Sequence, residues 1–253
     1  MLEIHERSSG GEHAVLLLHG CPSTTRCFEP LVSALSARWR VLVPELPGYG
    51  KTPALPGPYS LHRVQALLED HLLGLGVHEL SVVGFSAGAY RALALAFSSR
   101  VRVRHVASIA GFAGLDDPLR AAYRRLAPAV GDGTHDLRPG WLARIAGPDF
   151  AKRHPDDVED VMAWLGCASR SVLAAELAAF AECDDLRPRL SELEIPVLAR
   201  VGELDATALP DWSRDIAARA KHGKVEVVPG CGHALLYEDR DATVAAIVAL
   251  LGT

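Results

Sequence analysis

Short apolar runs alternate with longer amphipathic stretches along most of the chain. Ala14–Leu18, Arg40–Val43, Leu80–Phe85, Val103–Ala110, Val197–Val201 and Val225–Val228 are strand-sized and rich in leucine or β-branched residues. Runs that are near-continuously apolar, rather than apolar at every second position, predict strands covered on both faces. A weaker strand is expected at Leu2–Glu6. Between the runs, Phe28–Ala37, Leu61–Leu73, Ala87–Ser98, Trp212–Ala220 and Asp241–Leu250 have helical length. Pro210 stands near the start of one of them, where its missing N–H costs nothing. This alternation predicts an α/β fold, a mostly parallel central sheet with helices on both faces.

The alternation breaks once. From Gly111 to Pro196 no run reads as a strand, and helical stretches are expected at Pro118–Ala127, Trp141–Ile145, Asp156–Trp164 and Ser169–Glu182. Pro128, Pro139, Pro148 and Pro155 punctuate them. The segment is too long for one crossover helix. It predicts a four-helix-like insertion, a lid over residues 111–193, on a core built from residues 1–110 and 194–253. Trp141, Phe150, Met162, Trp164 and Phe180 give the insertion a large apolar surface, mostly for its own packing, with one or two facing a ligand cavity.

Composition narrows the function classes. The chain has 253 residues, 49% of them hydrophobic, which supports a packed core and argues against disorder. The 26 basic and 31 acidic residues give a net charge of −5, which offers no general attraction to nucleic acid. No apolar run approaches the roughly 18 residues of a membrane span. The N-terminal MLEIHERSSGGEH has no basic segment leading into an apolar one, so no secretory signal is expected. Cys21, Cys27, Cys167, Cys183 and Cys231 show no paired C-x-x-C spacing, and their odd number fits a reducing, cytoplasmic setting. No H-E-x-x-H is present and the histidines are scattered, so no metal site is expected. Nothing in the sequence sets an oligomeric state.

The chemistry centres on Gly84-Phe85-Ser86-Ala87-Gly88, a G-x-S-x-G pattern where the strand Leu80–Phe85 meets the helix Ala87–Ser98. An abrupt strand-to-helix turn brings positions 84 and 88 against neighbouring backbone, which demands small residues, and holds the serine strained with its oxygen exposed. Without a catalytic role, Ser86 would be a capping serine in a tight turn.

The chain resembles the α/β-hydrolase superfamily, in its lid-bearing esterase, lactonase and carbon–carbon hydrolase branch, over nearly its full length. His19-Gly20-Cys21-Pro22 resembles that family's H-G-x-P oxyanion loop. The resemblance implies that the backbone N–H groups of Cys21 and Ala87 hold the oxyanion, with His19 bonded structurally beneath the loop. The Cys21 thiol is not needed for that role, but it is a potential point of attack by alkylating reagents. Gly202-Glu203-Leu204-Asp205-Ala206-Thr207-Ala208-Leu209-Pro210 resembles the loop carrying the family's acid, which makes Asp205 the acid. Gly230-Cys231-Gly232-His233-Ala234 carries the base, His233. Pro44-Glu45-Leu46-Pro47-Gly48-Tyr49-Gly50-Lys51-Thr52 resembles the family's D-x-P-G-x-G-x-S loop but departs from it at Glu45 and Thr52.

Asp116 and Asp117 compete for the acid's role, since some relatives draw it from after the preceding strand, but both also read as caps of a helix opening at Pro118. Glu203 is a weaker substitute. The expected function is serine hydrolysis of carboxylic esters with small to medium, partly apolar substrates and no cofactor. Trp141, Trp164, Tyr49 and Leu209 are the candidate pocket residues. Carbon–carbon hydrolysis, lactonase, thioesterase and acyl-transfer reactions share the triad, and a binding protein with a slow or vestigial triad is the reading from another class.

Overall fold

The computed structural model describes residues 2–7 and 11–253. One sheet contains β1 (Ile4–Arg7), β2 (Ala14–Leu18), β3 (Arg40–Pro44), β4 (Glu79–Phe85), β5 (Arg102–Ile109), β6 (Pro196–Gly202) and β7 (His222–Val228). Their spatial order is β1-β3-β2-β4-β5-β6-β7, with β1 antiparallel to β3 and every other pair parallel. The helices are α1 (Glu29–Leu35), α2 (Leu61–Gly74), α3 (Ala87–Leu95), α4 (Asp117–Gly131), α5 (Trp141–Ile145), α6 (Phe150–Arg153), α7 (Val158–Ala163), α8 (Arg170–Ala181), α9 (Pro210–Arg219), α10 (Leu235–Glu238) and α11 (Arg240–Leu251).

The continuous apolar runs divide between two cores. Ala14, Leu16 and Leu18 of β2 join residues of α2, α3 and α9 on one face, while Val15 and Leu17 join α1 and α11 on the other. The edge strand β7 departs from this rule. Its first residues are exposed, so His222–Lys224 are free to be polar, and the apolar pattern marks only its second half.

The chain leaves β2 toward one side of the sheet for β3 and returns on the other side as β4. The C-terminal ends of β2 and β4 are therefore neighbours, with Leu18 opposite Gly84. Open α/β sheets form their crevice at such a reversal. The residues following β2 are His19-Gly20-Cys21, and the residue following β4 is Ser86.

The helical insertion lies between β5 and β6 and contains α4 to α8. All four expected stretches are present, and α6 is an additional short helix. Asp156–Trp164 is divided into a 3₁₀ turn at Pro155–Asp157, α7, and a second turn at Trp164–Gly166. Phe28–Ala37 likewise is not one helix: a 3₁₀ turn covers Thr25–Phe28, and α1, with Pro30 in its first turn, ends at Leu35. Trp141, Phe150 and Trp164 pack in the same cluster as Phe85 and Tyr237, whereas Phe180 joins the opposite cluster. Met162 is not part of this packing, being 38% exposed. Among the described residues no helix is long and apolar enough to cross a membrane, and all five cysteines are free thiols.

Candidate active site

Ser86 sits at the turn from β4 into α3 with φ 56° and ψ −122°, a left-handed conformation that costs a non-glycine residue about 1–3 kcal/mol. Its amide donates to the Ile109 carbonyl at 2.9 Å and its carbonyl accepts from Ala89, so both ends of the turn are fixed. A Cβ on Gly84 would run into the Gly88 carbonyl, and one on Gly88 into the Leu18 carbonyl. Both glycines of the motif are thus required by backbone contact.

The His233 ring lies 2.9 Å through Nε2 from Ser86 Oγ and 2.8 Å through Nδ1 from Asp205 Oδ2. A carboxylate only accepts, so Nδ1 carries the proton and Nε2 is left to accept from the serine hydroxyl. Asp205 is itself oriented: its Oδ1 accepts from the amides of Thr207 and Ala208, each at 2.8 Å. Its side chain is fully buried and that of His233 nearly so. Such an arrangement can deprotonate a serine as it attacks and return the proton to a leaving group.

The competing carboxylates are occupied elsewhere. Asp116 caps α4, accepting from the Leu119 amide at 2.9 Å, and Asp117 is the first residue of that helix. Glu203 accepts from the Gly230 amide at 3.1 Å, bracing the loop that leads to His233. His19 donates to the Gly20 carbonyl through Nδ1 and accepts from the Leu46 amide through Nε2. Since Nε2 is an acceptor, Nδ1 is the donor and the ring is neutral. Burial lowers its pKa to about 4.

A cavity of about 220 Å³ opens over Ser86, walled by Cys21, Pro22, Phe85 and His233 from the sheet and by Tyr123, Leu137, Trp141, Trp164, Leu173 and Leu177 from the insertion, among others. The wall residues Leu137, Trp164 and Leu173 also border an outer cavity of about 640 Å³. The Ala87 amide opens α3 directly after Ser86, and Cys21 borders the same cavity from the loop after β2. The Cys21 thiol faces Tyr49 and Glu176, and burial pushes its pKa well above the ordinary thiol value. A raised pKa lowers the share of reactive thiolate at this cavity-lining residue.

Trp141 and Trp164 line the cavity, whereas Tyr49 and Leu209 do not. Tyr49 is buried behind the Cys21 loop, edge-on to the His19 ring at 4.6 Å between centroids, with its hydroxyl donating to Glu176. Leu209 is the N-cap of α9 and is 46% exposed, and from this loop Thr207 borders the cavity instead.

The model of the alpha/beta hydrolase family matches residues 15–247. The chain belongs to that family. It is 26% identical over 237 residues to a pimeloyl-[acyl-carrier protein] methyl ester esterase of Neisseria meningitidis serogroup B, covering 91% of this chain and 90% of that one. Among solved structures, a thermophilic esterase from Thermogutta terrifontis superposes with a TM-score of 0.90 at 26% identity, over 99% of this chain and 92% of the other. The enol-lactonase of Burkholderia xenovorans LB400 shares the fold, with a TM-score of 0.89 at 23% identity over 100% and 96% of the two chains.

One feature of this hydrolase was not anticipated from sequence. The buried Glu176 of α8 pairs with Arg91 of α3 and accepts from Tyr49, joining the insertion to the helix that follows Ser86. Glu176 is the one charged residue after Arg170 within the otherwise apolar or small Arg170–Ala181 helix, a detectable signal. The departure at Glu45 and Thr52, read from the sequence, has defined hydrogen-bond partners. Glu45 accepts from His5 at 3.0 Å and from the Lys51 amide, and Thr52 Oγ accepts from the Glu3 amide at 2.9 Å. Both residues thereby tie their loop to the N-terminal strand region.

Proposed function

We propose that the chain is a serine esterase in which Ser86, His233 and Asp205 act as nucleophile, base and orienting acid. The observation that carries this reading is the continuous Asp205–His233–Ser86 hydrogen-bond relay opening into an apolar cavity. Ser86 Oγ attacks the ester carbonyl as His233 Nε2 takes its proton. The tetrahedral oxyanion is held by the amides of Cys21 and Ala87, donors of a kind worth about 3–4 kcal/mol each where one has been removed. Collapse expels the alcohol, protonated by His233, and leaves an acyl group on Ser86. Water, deprotonated by His233, then attacks the acyl carbon, and the acid departs as the proton returns to Ser86.

Residues 111–193 act in this proposal as a lid on the core of residues 1–110 and 194–253. A cavity of about 220 Å³ is below the roughly 300–1,000 Å³ usual for ligand sites. It supports an ester with a small or medium apolar group beside Ser86, and the likeness to a methyl ester esterase agrees with that. A reducing, cytoplasmic setting belongs to the same reading, supported by the five unpaired thiols.

The test is covalent labelling with a fluorophosphonate probe alongside turnover of p-nitrophenyl esters. The parent should gain one adduct by intact mass, and Ser86→Ala should gain none and lose turnover. An adduct of equal yield on folded Ser86→Ala would move the nucleophile to another serine.

A further inference from the structure

We propose that Glu238 is a positioning residue, one that clamps the loop carrying His233 to the helical insertion and thereby holds the imidazole at Ser86. The inference rests on the reading of His233 as the base. Glu238 ends the short buried helix α10 and is only 5% exposed. Its carboxylate accepts from the Gly232 amide through both oxygens, at 2.9 and 3.0 Å, and from the Gly147 amide at 2.8 Å.

These two amides belong to parts of the molecule far apart in sequence. Gly232 immediately precedes His233. Gly147 follows α5, whose Trp141 and Ile145 wall the cavity over Ser86. On the other side of His233, the Ala234 amide donates to the Ile145 carbonyl at 2.6 Å. Both neighbours of the imidazole are thus bonded into one arrangement with the insertion.

The packing leaves little room for a substitute. A Cβ on Gly232 would stand 2.7 Å from the Gly147 nitrogen, and one on Gly147 would stand 2.6 Å from the Gly230 carbonyl oxygen. The two backbones meet with no side chain between them, and Glu238 supplies the acceptor for both N–H groups that face it. Burying a carboxylate is costly, and burial pushes this one above the usual carboxylate range while the amides oppose the shift. A turn that needed only filling would be served by an apolar residue at lower cost. A residue that sets the position of a general base has a stronger requirement, because a shift of about 1 Å at the reacting groups can lower the rate about 100-fold.

The experiment compares Glu238→Ala, Glu238→Gln and His233→Ala in the full chain, with kcat and KM on p-nitrophenyl butyrate measured well below each melting temperature. The down-field proton resonance of the His233–Asp205 hydrogen bond is recorded for each Glu238 variant. Glu238→Ala should lower kcat about 100-fold with KM within about threefold, and shift or broaden the resonance. Glu238→Gln retains one acceptor oxygen and should lose about 10-fold in kcat. Should the alanine variant not fold, the glutamine variant decides alone. A Glu238→Gln kcat within twofold of the parent, or a resonance unchanged in both variants, overturns the proposal. If His233→Ala keeps parental kcat, the reading of the base fails; if it is inactive while the Glu238 variants are fully active, only the role of Glu238 fails.

Discussion

Replacing Arg91 with methionine isolates the worth of the link between insertion and core. Glu176 has no exposed side-chain surface, and its partners are Arg91 and the Tyr49 hydroxyl. Without the guanidinium, a fully buried carboxylate keeps only neutral donors, the Tyr49 hydroxyl and the neighbouring Cys21 thiol, and breaking a buried ion pair in this way costs about 3–5 kcal/mol. At about 2–4 °C per kcal/mol for a chain of this size, Arg91→Met should melt about 6–20 °C below the parent. The double variant Arg91→Met/Glu176→Leu removes both charges. The pair is imperfectly satisfied to begin with, since Arg91 Nε and Nη1 are buried without partners among the described residues. Exchanging such a pair for apolar residues is often neutral or stabilising, and the loss here is the unpaired Tyr49 hydroxyl, about 1–3 kcal/mol. The double variant should therefore be more stable than Arg91→Met. Urea denaturation of the parent, both single variants and the double variant measures the coupling directly. Since α8 also brings Leu173 and Leu177 to the cavity, KM for a p-nitrophenyl ester should rise in Arg91→Met and recover in the double variant. An Arg91→Met chain within 1 kcal/mol of the parent, or a double variant less stable than either single one, would refute the reasoning.

Three further outcomes are expected. Asp205→Asn should reduce ester kcat by about 10³–10⁴ through loss of the useful imidazole tautomer, whereas Asp116→Asn should leave kcat within about fivefold, as befits a cap; steady-state kinetics on both variants reverses the acid assignment if the ranking inverts. Trp141→Ala and Trp164→Ala should change the rank order of kcat/KM over esters of graded acyl length, since both side chains wall the cavity; equal scaling of all substrates would make them packing residues only. Stability should fall with acid through His19, whose folded pKa of about 4 lies below the roughly 6.5 of an unfolded histidine. The unfolded chain binds the proton first, so stability present above pH 6.5 is lost progressively toward pH 4, by about 3 kcal/mol in all. Urea midpoints across that range should show a shallower decline in His19→Asn, and parallel declines would place the acid sensitivity in other groups.

The strands and the triad loops were legible because their signals are local. Ala14–Leu18 is apolar at every position because both faces of β2 are covered, and Gly84 and Gly88 flank Ser86 because no larger residue fits. The acid and base loops carry their own glycines and stand directly after strands. Edges and turns were less legible for physical reasons that particular residues display. The exposed first half of β7 has no apolar pattern to read. Pro30 in the first turn of α1 permits a helix to begin there but does not reveal that a 3₁₀ turn precedes it. Tyr49 was expected at the pocket from its place in a loop near the oxyanion site. Its position behind Cys21 depends on Glu176, 127 residues away in the chain.

The two buried glutamates show what kind of information local pattern lacks. Glu176 lies behind the Cys21 loop and Glu238 behind the His233 loop, and each reaches across from one part of the chain to another. Further bonds between the insertion and the rest of the chain run from Arg26 to Asp160, Arg240 to Asp157 and Cys167 to the Ser23 carbonyl. Residues 132–140 differ. Their hydrogen bonds, among the described residues, stay within the insertion: His135 and Thr134 bond back to Ala129, Arg138 to Asp136, and Arg144 to the carbonyls of Leu137 and Pro139. This stretch carries Leu137, which borders both the cavity over Ser86 and the larger outer cavity. Segments with few bonds to the rest of a fold open at the lowest free-energy cost. The insertion is thus bonded to the core beside Ser86 and His233, through Glu176 and Gly147, while the bonds of residues 132–140, among the described residues, stay within it.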